Sequence, residues 1–245
     1  MNDIPLFKVF MSEDVLKPVS DILMSGYVGQ GSQVDKFEKK LSTYFNNKNV
    51  LTFNSGTSAL HLALHITKME ISSEIDEVLT TPLTCAATNF PILANGLKVK
   101  WVDLFPETCN VDLSDLESKI SSKTAAIMVV HWAGYPVDLD RLKSIQYKAK
   151  LIYGREIPII EDCAHAIGAE YKGVKIGNSG NYCMFSFQAI KHLTTCDGGL
   201  LVTKEDKYQL AKLLRWYGLD RESSADFRCE QNIENWGYKF HMNDL

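Results

Sequence analysis

Short apolar runs alternate with amphipathic stretches from about residue 48 to residue 200. The runs end at polar or proline-containing turns, which is typical of buried strands, and the stretches between them place apolar residues at helical spacing. The pattern predicts strands at 49–53, 77–81, 99–104, 125–131 and 158–161, and helices at 58–67, 86–94, 113–120 and 139–150. Repeated strand–helix units require crossover connections, so we expect an α/β fold with a mainly parallel central sheet flanked by helices.

The second half of the chain changes character. Short β-like runs at 168–173, 181–188 and 199–203 are separated by glycine turns without long helices, and a helix at 204–216 leads into a polar, irregular stretch at 218–235. The segment from Gly237 to Leu245 resembles the start of a new element more than a frayed tail. We therefore expect one large domain over 1–217, including an N-terminal arm, and the start of a connection to a further domain over 218–245.

Charge and composition narrow the function classes. Lysine and arginine total 26 and aspartate and glutamate total 30, giving a net charge of -4, whereas a nucleic-acid binder usually carries a basic stripe. Apolar residues make up 45% and charged residues 23%, as in ordinary folded proteins. The N-terminus lacks a secretory pattern, and the longest apolar stretch, 125–130, is too short to span a bilayer. These features predict a cytoplasmic enzyme whose cysteines stay as thiols, at Cys85, Cys109, Cys163, Cys183, Cys196 and Cys229.

Three segments carry candidate chemistry. The turn at 54–58, reading NSGTS, joins a strand to a helix, and free amides beside hydroxyls can bind phosphate, although a plain helix cap explains the same residues. Asp162 follows a buried strand, where open α/β sheets bind ligands, and Glu161 before it must face the other side of the sheet. For this acid, too, a helix cap is an equal alternative. Lys191 lies between β-like runs ahead of a Gly-Gly pair, and most such lysines are solvated.

His61 and His65 have the i, i+4 spacing of two metal ligands. An acidic residue between them and a third ligand are both missing from the pattern, so we expect no metal and assign them to the polar edge of a buried helix.

The order of these segments fits pyridoxal 5′-phosphate (PLP). Its phosphate needs amide and hydroxyl donors, its pyridine nitrogen needs a carboxylate that keeps it protonated, and its aldehyde needs a lysine. The chain resembles the DegT/DnrJ/EryC1/StrS family, the sugar aminotransferases of PLP fold type I. The resemblance runs nearly end to end, through segments reading GYVGQG (26–31), FE (37–38), NSGTSAL (54–60), TPLT (81–84), GYPVD (134–138), EDCAHAIGA (161–169) and 186–199.

The resemblance implies roles for individual residues. Lys191 matches the lysine that bonds to the cofactor aldehyde, Asp162 the acid that pairs with the pyridinium nitrogen, and His165 a position, often glutamine, near the cofactor ring. The phosphate is implied to lie against Gly56, Thr57, Ser58 and Ser186. Cys85 occupies the position of an aromatic residue that stacks on the cofactor, and Lys239 that of an asparagine reaching the phosphate of a neighbouring subunit.

The resemblance also implies a reaction and partners. L-glutamate would give its amino group to PLP, and the group would then pass to a keto-deoxy sugar on a nucleotide diphosphate, with a 4-keto-6-deoxyhexose favoured because 161–165 resembles perosamine-synthase-type members. Such sugars enter surface polysaccharides, including the O-antigen of lipopolysaccharide. The protein is expected to be a homodimer with shared active sites.

Departures from the family pattern leave alternatives open. Cys85 weakens cofactor stacking, and Lys239 and His241 replace the usual Asn and Arg. Complete members continue into a small C-terminal domain on the order of 100 residues, so that domain is expected to be largely absent. The alternatives are an inactive truncated homologue that only binds a partner, and a PLP-dependent sugar dehydratase, a group that carries histidine where this chain has Lys191.

Overall fold

The computed structural model describes residues 4–5, 7–221, 230–231 and 233–245. Its strands are β1 (Val50–Phe53), β2 (Glu77–Thr80), β3 (Lys98–Trp101), β4 (Thr124–Val130), β5 (Ile159–Asp162), β6 (Glu170–Tyr171), β7 (Val174–Lys175), β8 (Tyr182–Ser186) and β9 (Gly199–Val202). Seven of them form one sheet in the order β1-β9-β8-β5-β4-β2-β3, and β6 and β7 form a separate hairpin. Only β9 runs against its neighbours in the large sheet, so the expected α/β fold with a mainly parallel sheet is confirmed.

The helices pack on both faces of this sheet. They are α1 (Leu16–Ser25), α2 (Ser32–Phe45), α3 (Gly56–Met69), α4 (Ala86–Ala94), α5 (Leu113–Lys119), α6 (Leu139–Tyr153) and α7 (Tyr208–Leu214). Within the described residues, no helix combines the length and apolar character that crossing a membrane requires.

Most predicted elements from 49 to 216 are found within a few residues of their expected bounds, including β6 inside the run predicted at 168–173, but α1, α2 and β7 are not among them. The apolar side chains of α1 are all at least partly exposed, so no buried stripe marks this helix. The hairpin has two residues per strand, too few for an alternating pattern. Cys229 and much of the irregular stretch at 218–235 lie outside the described residues, whereas the other five cysteines are free thiols as expected.

Alternation along the strands divides the core between the two faces of the sheet. Leu51 of β1 and Met184 of β8 pack with the apolar residues of α3, and Val50 and Phe185 pack on the other face with Phe45 of α2. Successive strand residues point to opposite faces, so each buried strand fills two clusters. The α3 helix is therefore held firmly with its first turn at the edge of the sheet.

A buried ion pair joins α2, β1 and the end of α7. Arg215 is only 2% exposed and donates from Nη1 to Glu38 Oε1 at 2.5 Å and to the Thr52 carbonyl at 2.8 Å. The same Glu38 oxygen accepts from the Thr52 amide at 2.7 Å and its hydroxyl at 2.8 Å. A buried charge is tolerated when it is paired and hydrogen-bonded, which this arrangement achieves.

The segment 237–245 packs back against the same domain. The Tyr238 amide donates to the Leu214 carbonyl at 2.7 Å, and the Phe240 carbonyl accepts from the Asn54 amide at 2.8 Å. Asp244 Oδ1 accepts from the Gly31 amide at 2.8 Å and the Val34 amide at 3.1 Å, in the first turn of α2. The division at residue 217 stays a prediction.

Candidate active site

The candidate residues meet at one edge of the sheet. β1, β5 and β8 run in the same direction and end at Phe53, Asp162 and Ser186, while antiparallel β9 begins at Gly199. These four strand ends therefore lie along the carboxyl edge of the sheet, where α/β proteins bind their ligands.

The turn before α3 leaves donors available to an anion. Ser55 caps the helix by accepting from the Ser58 amide at 3.1 Å, and the two serine hydroxyls are 2.9 Å apart. The amides of Gly56 and Thr57 lie in the first turn, where a helix supplies no carbonyl partner. Thr57 is exposed, whereas the Ser58 amide is already occupied by the cap. The anion site thus consists of two amides and the Thr57 hydroxyl, with Ser58 mainly serving the turn itself.

Two glycines bring this turn onto the strand ends. A Cβ on Gly56 would lie 2.7 Å from Met184 Sδ and 3.3 Å from Ser186 Cβ, so Ser186 lies directly beside the turn. A Cβ on Gly199 would lie 2.4 Å from the Gly56 nitrogen and 2.5 Å from the Ser55 carbonyl carbon. The first turn of α3 therefore packs on the backbone of β9 with no space for a side chain between them.

Asp162 is buried with both carboxylate oxygens hydrogen-bonded. Oδ2 accepts from Thr88 Oγ1 at 2.6 Å, and Oδ1 accepts from the Ala164 amide at 3.0 Å. Two donors from different parts of the chain fix the orientation of this carboxylate. Its position at the end of a buried strand agrees with the sequence prediction.

Glu161 faces the other side of the sheet, as strand geometry predicts. Its Oε2 lies 2.9 Å from His131 Nε2, and its Oε1 accepts from Asn181 Nδ2 at 2.6 Å. Burial raises the pKa of Glu161, but these hydrogen bonds more than offset it, so the pKa lies below its usual value. His131 Nδ1 accepts from the Val137 amide at 3.1 Å, which leaves Nε2 as the donor to Glu161.

Cys163 brings a thiol near the same buried pair, so three groups of the kinds that bind metals converge there. Both oxygens of Glu161 already have protein donors, and the Cys163 thiol contacts the Glu161 carbonyl at 3.5 Å. Hydrogen bonding within the protein accounts for this cluster.

Lys191 lies in the loop between β8 and β9. Phe187 closes the loop, since its amide donates to the Gly198 carbonyl at 2.9 Å and its carbonyl accepts from the Thr195 amide at 3.0 Å. The Lys191 amide donates to the Gln188 carbonyl at 2.9 Å. Lys191 is half-buried, and within the described residues it forms no ion pair.

His165 links the lysine and the acid in space. Its pKa is lowered, first by burial and then by the positive charge of Lys191, while the negative charge of Asp162 acts in the opposite direction. Both charges therefore lie close enough to influence one imidazole. Trp132 approaches this ring edge-on with centroids 6.1 Å apart, and Gly134 packs on the His165 carbonyl, where a Cβ would lie 2.7 Å away.

The remaining predicted residues border this cluster. Cys85 is exposed and precedes the first residue of α4, the helix that carries Thr88. The Lys239 side chain is exposed, and its carbonyl accepts from Asn54 Nδ2 at 3.3 Å, so residue 239 lies beside the turn of its own chain.

His61 and His65 lie on α3 against the aromatic residues of the C-terminal segment. His61 packs edge-on to Tyr238 and Phe240, and His65 lies 3.1 Å from the Tyr238 hydroxyl through Nδ1. In the described part of the chain, the three-residue group with metal-binding geometry is the one around Glu161 and does not include these histidines.

Sequence reasoning missed the residues that support the site. Thr88 donates to Asp162, His131 pairs with Glu161, and Trp132 packs edge-on to His165. These three residues carry no local signal, because their partners are distant in sequence.

Comparison with known proteins identifies the family and the fold. The model of the DegT/DnrJ/EryC1/StrS aminotransferase family matches residues 10–245. The sugar aminotransferase CalS13 from Micromonospora echinospora superposes with a TM-score of 0.93 at 46% identity, over 99% of this chain and 65% of that one. The PLP form of the sugar aminotransferase Spr1654 from Streptococcus pneumoniae superposes with a TM-score of 0.87 at 30% identity, over 99% and 64%.

A curated relative carries a specific activity in its name. The UDP-4-amino-4,6-dideoxy-N-acetyl-beta-L-altrosamine transaminase of Campylobacter jejuni (strain 81-176) is 35% identical over 94% of this chain and 57% of its own length. This chain thus spans between 57% and 65% of the length of these three relatives. Fold and site define a chain of PLP fold type I. It belongs to the DegT/DnrJ/EryC1/StrS aminotransferase family, whose aminotransferases use PLP.

Proposed function

We propose that this protein transfers an amino group from L-glutamate to a nucleotide-linked keto-deoxy sugar, with PLP held at the carboxyl edge of the sheet. The observation that carries the proposal is that β5, which ends at Asp162, pairs with β8, whose following loop holds Lys191, beside a helix N-terminus with free donors. When bound, PLP supplies an electron sink for bond changes at the amino carbon.

The donor set of this chain fits the cofactor. The amides of Gly56 and Thr57, the Thr57 hydroxyl and the neighbouring Ser186 hydroxyl match a phosphate, which binds readily at a helix N-terminus. Asp162 is a buried carboxylate with fixed orientation, as a protonated ring nitrogen needs. An exposed Cys85 offers a thiol in place of an aromatic ring, so its packing against the cofactor contributes less than stacking would.

In the proposed reaction, the side-chain amine of Lys191 moves the proton. The amine of Lys191 acts as a base in this proposal, taking a proton at the amino carbon and returning it. The half-buried position of Lys191, in a loop closed by backbone hydrogen bonds, limits the movement of its side chain. His165, with its lowered pKa, is held neutral there and can donate or accept a hydrogen bond at the ring.

The proposed sugar class and pathway rest on the names of the relatives. The relatives include a transaminase acting on a UDP-linked 4-amino-4,6-dideoxy sugar and a spore coat polysaccharide biosynthesis protein of Bacillus subtilis. These names support a 4-keto-6-deoxyhexose as acceptor and a role in surface polysaccharide synthesis. The O-antigen of lipopolysaccharide is the polysaccharide that we propose. A cytoplasmic location is part of the same proposal, since nucleotide sugars are its substrates.

A second copy of the chain completes the proposed enzyme. The N-terminal arm and α1 expose large apolar side chains, including Ile4 at 94%, Phe10 at 81% and Met24 at 84%. Exposed apolar surface of this kind marks an interaction site. In the proposed homodimer Lys239 reaches the phosphate of the other subunit, and residues 218–245 begin the connection to a small C-terminal domain.

Absorbance spectroscopy tests this function. The protein is mixed with PLP and then with L-glutamate, and we expect a visible band that shifts on glutamate addition. Lys191→Ala should abolish the original band, whereas Lys143→Ala, an exposed lysine on α6, should leave it unchanged. A band retained in Lys191→Ala would disprove the lysine assignment, and the absence of any band in the unmodified protein would favour an inactive homologue. A panel of nucleotide keto-sugars with L-glutamate then identifies the acceptor.

A further inference from the structure

A threonine on α4 controls the carboxylate of Asp162. Thr88 is 1% exposed, and its Oγ1 lies 2.6 Å from Asp162 Oδ2, short for a hydrogen bond between a hydroxyl and an oxygen. The other oxygen, Oδ1, is taken by the Ala164 amide at 3.0 Å. The Ala164 amide belongs to the turn that follows β5. Thr88 lies on α4, so it fixes the Asp162 carboxylate from a different element.

The direction of these hydrogen bonds is fixed by the chemistry of the groups. An ionised carboxylate only accepts, so the single hydroxyl proton of Thr88 points to Asp162. Thr84 Oγ1 lies 2.7 Å from Thr88 Oγ1, and since the Thr88 proton is already used, Thr84 is the donor of that pair. Two hydroxyls thus form a chain that ends on the acid, and hydrogen bonds in such a chain strengthen one another.

The position of Thr88 on its helix adds to the effect. α4 begins at Ala86, so Thr88 is in the first turn, near the positive end of the helix dipole. Cys85, which precedes the helix, has no side-chain capping bond. A negative charge at this end of α4 is stabilised, and Asp162 supplies it through Thr88.

We infer that Thr88, with Thr84 behind it, is a positioning residue that holds the carboxylate of Asp162 aimed at the ring nitrogen of the cofactor. This inference rests on the proposed function, because it assigns Asp162 to that nitrogen. Thr88 acts through Asp162 and does not itself touch the cofactor. The contribution of Thr88 to cofactor binding must therefore disappear with a cofactor analogue that lacks the ring nitrogen.

The test compares two cofactors on four proteins. The dissociation constants of PLP and of its 1-deaza analogue, which has a carbon in place of the ring nitrogen, are measured by titration of apo unmodified protein, Thr88→Val, Thr88→Ser and Thr84→Val. Valine keeps the shape of threonine without the hydroxyl, and serine keeps the hydroxyl. A hydrogen bond to a charged group contributes about 1.5–3 kcal/mol, so Thr88→Val should weaken PLP binding roughly 10-fold or more.

The expected pattern is specific to an effect through the ring nitrogen. Thr88→Val should bind the deaza analogue as well as the unmodified protein does, Thr88→Ser should stay within about threefold for PLP, and Thr84→Val should lose less than Thr88→Val. An equal loss for both cofactors, or a loss in Thr88→Ser as large as in Thr88→Val, would overturn the inference. Unchanged PLP binding in Thr88→Val would overturn it as well. Failure of the unmodified protein to bind PLP would instead refute the proposed function.

Discussion

Replacing Gly199 by alanine should displace the phosphate-binding turn. The new Cβ would lie 2.4 Å from the Gly56 nitrogen and 2.5 Å from the Ser55 carbonyl carbon, both backbone atoms that cannot rotate away. Ordinary contacts begin at 3.4 Å, so the first turn of α3 must move by about 1 Å. Gly199 does not adopt a left-handed backbone conformation, so alanine adds only this steric conflict.

The expected cost has two parts. Overpacking of a close contact destabilises a protein by about 1–3 kcal/mol, which urea denaturation measures. Loss of one hydrogen bond to the phosphate costs about 1.5–3 kcal/mol, so PLP binding should weaken roughly 10- to 100-fold in an absorbance titration.

Gly29→Ala is the matched control. An added Cβ at Gly29 meets no atom within 4 Å, and the backbone there is not left-handed, so stability should change by less than about 0.5 kcal/mol and PLP affinity should stay the same. Gly199→Ala binding PLP as tightly as the unmodified protein would refute the argument that this contact sets the position of the turn.

Three further predictions concern the fold and its pH dependence. Glu38→Ala should destabilise the protein by about 3–5 kcal/mol in urea denaturation because it leaves Arg215 buried without its ion-pair partner, whereas Glu205→Ala, which breaks an exposed pair with Lys48, should cost no more than about 1 kcal/mol. Asp244→Ala should lower the free energy of unfolding by about 1 kcal/mol, since it removes the cap from α2, and Asp244→Asn should recover part of this. Burial lowers the pKa of four histidines in the folded protein. Below their unfolded pKa of about 6.5, the unfolded chain therefore binds more protons than the folded protein does. The free energy of unfolding should be at its full value above that pH and should fall as the pH is lowered toward the folded pKa values. Urea midpoints across this range test the sign, and a midpoint that rises on acidification would contradict it. The four are His61, His65, His165 and His241.

The sheet was predictable because its strands carry a clear signal. Six of the seven residues of β4 are apolar, and all seven are buried. A helix such as α3 follows a strand after a polar turn, so its start at Gly56 lies within two residues of the predicted one at 58. The separation of Glu161 from Asp162 also followed from strand geometry alone.

The supporting contacts were not predictable because they join distant parts of the chain. Thr88 and Asp162 are 74 positions apart, and Arg215 and Glu38 are 177 apart. Neither pair has a local pattern that marks it. The same holds for Gly199. Position 199 has no room for a side chain because it packs against a helix that begins 143 residues earlier, at Gly56.

The two neighbouring acids of β5 have a consequence for strand alignment. A shift of β5 by one residue between β4 and β8 would still present a carboxylate to the cofactor side, but with an extra methylene and away from Thr88. His131 and Asn181 recognise Glu161 from the opposite side and oppose that shift. Replacing Glu161 by an apolar residue would therefore be felt first as two coexisting alignments of one strand, and only afterwards as unfolding.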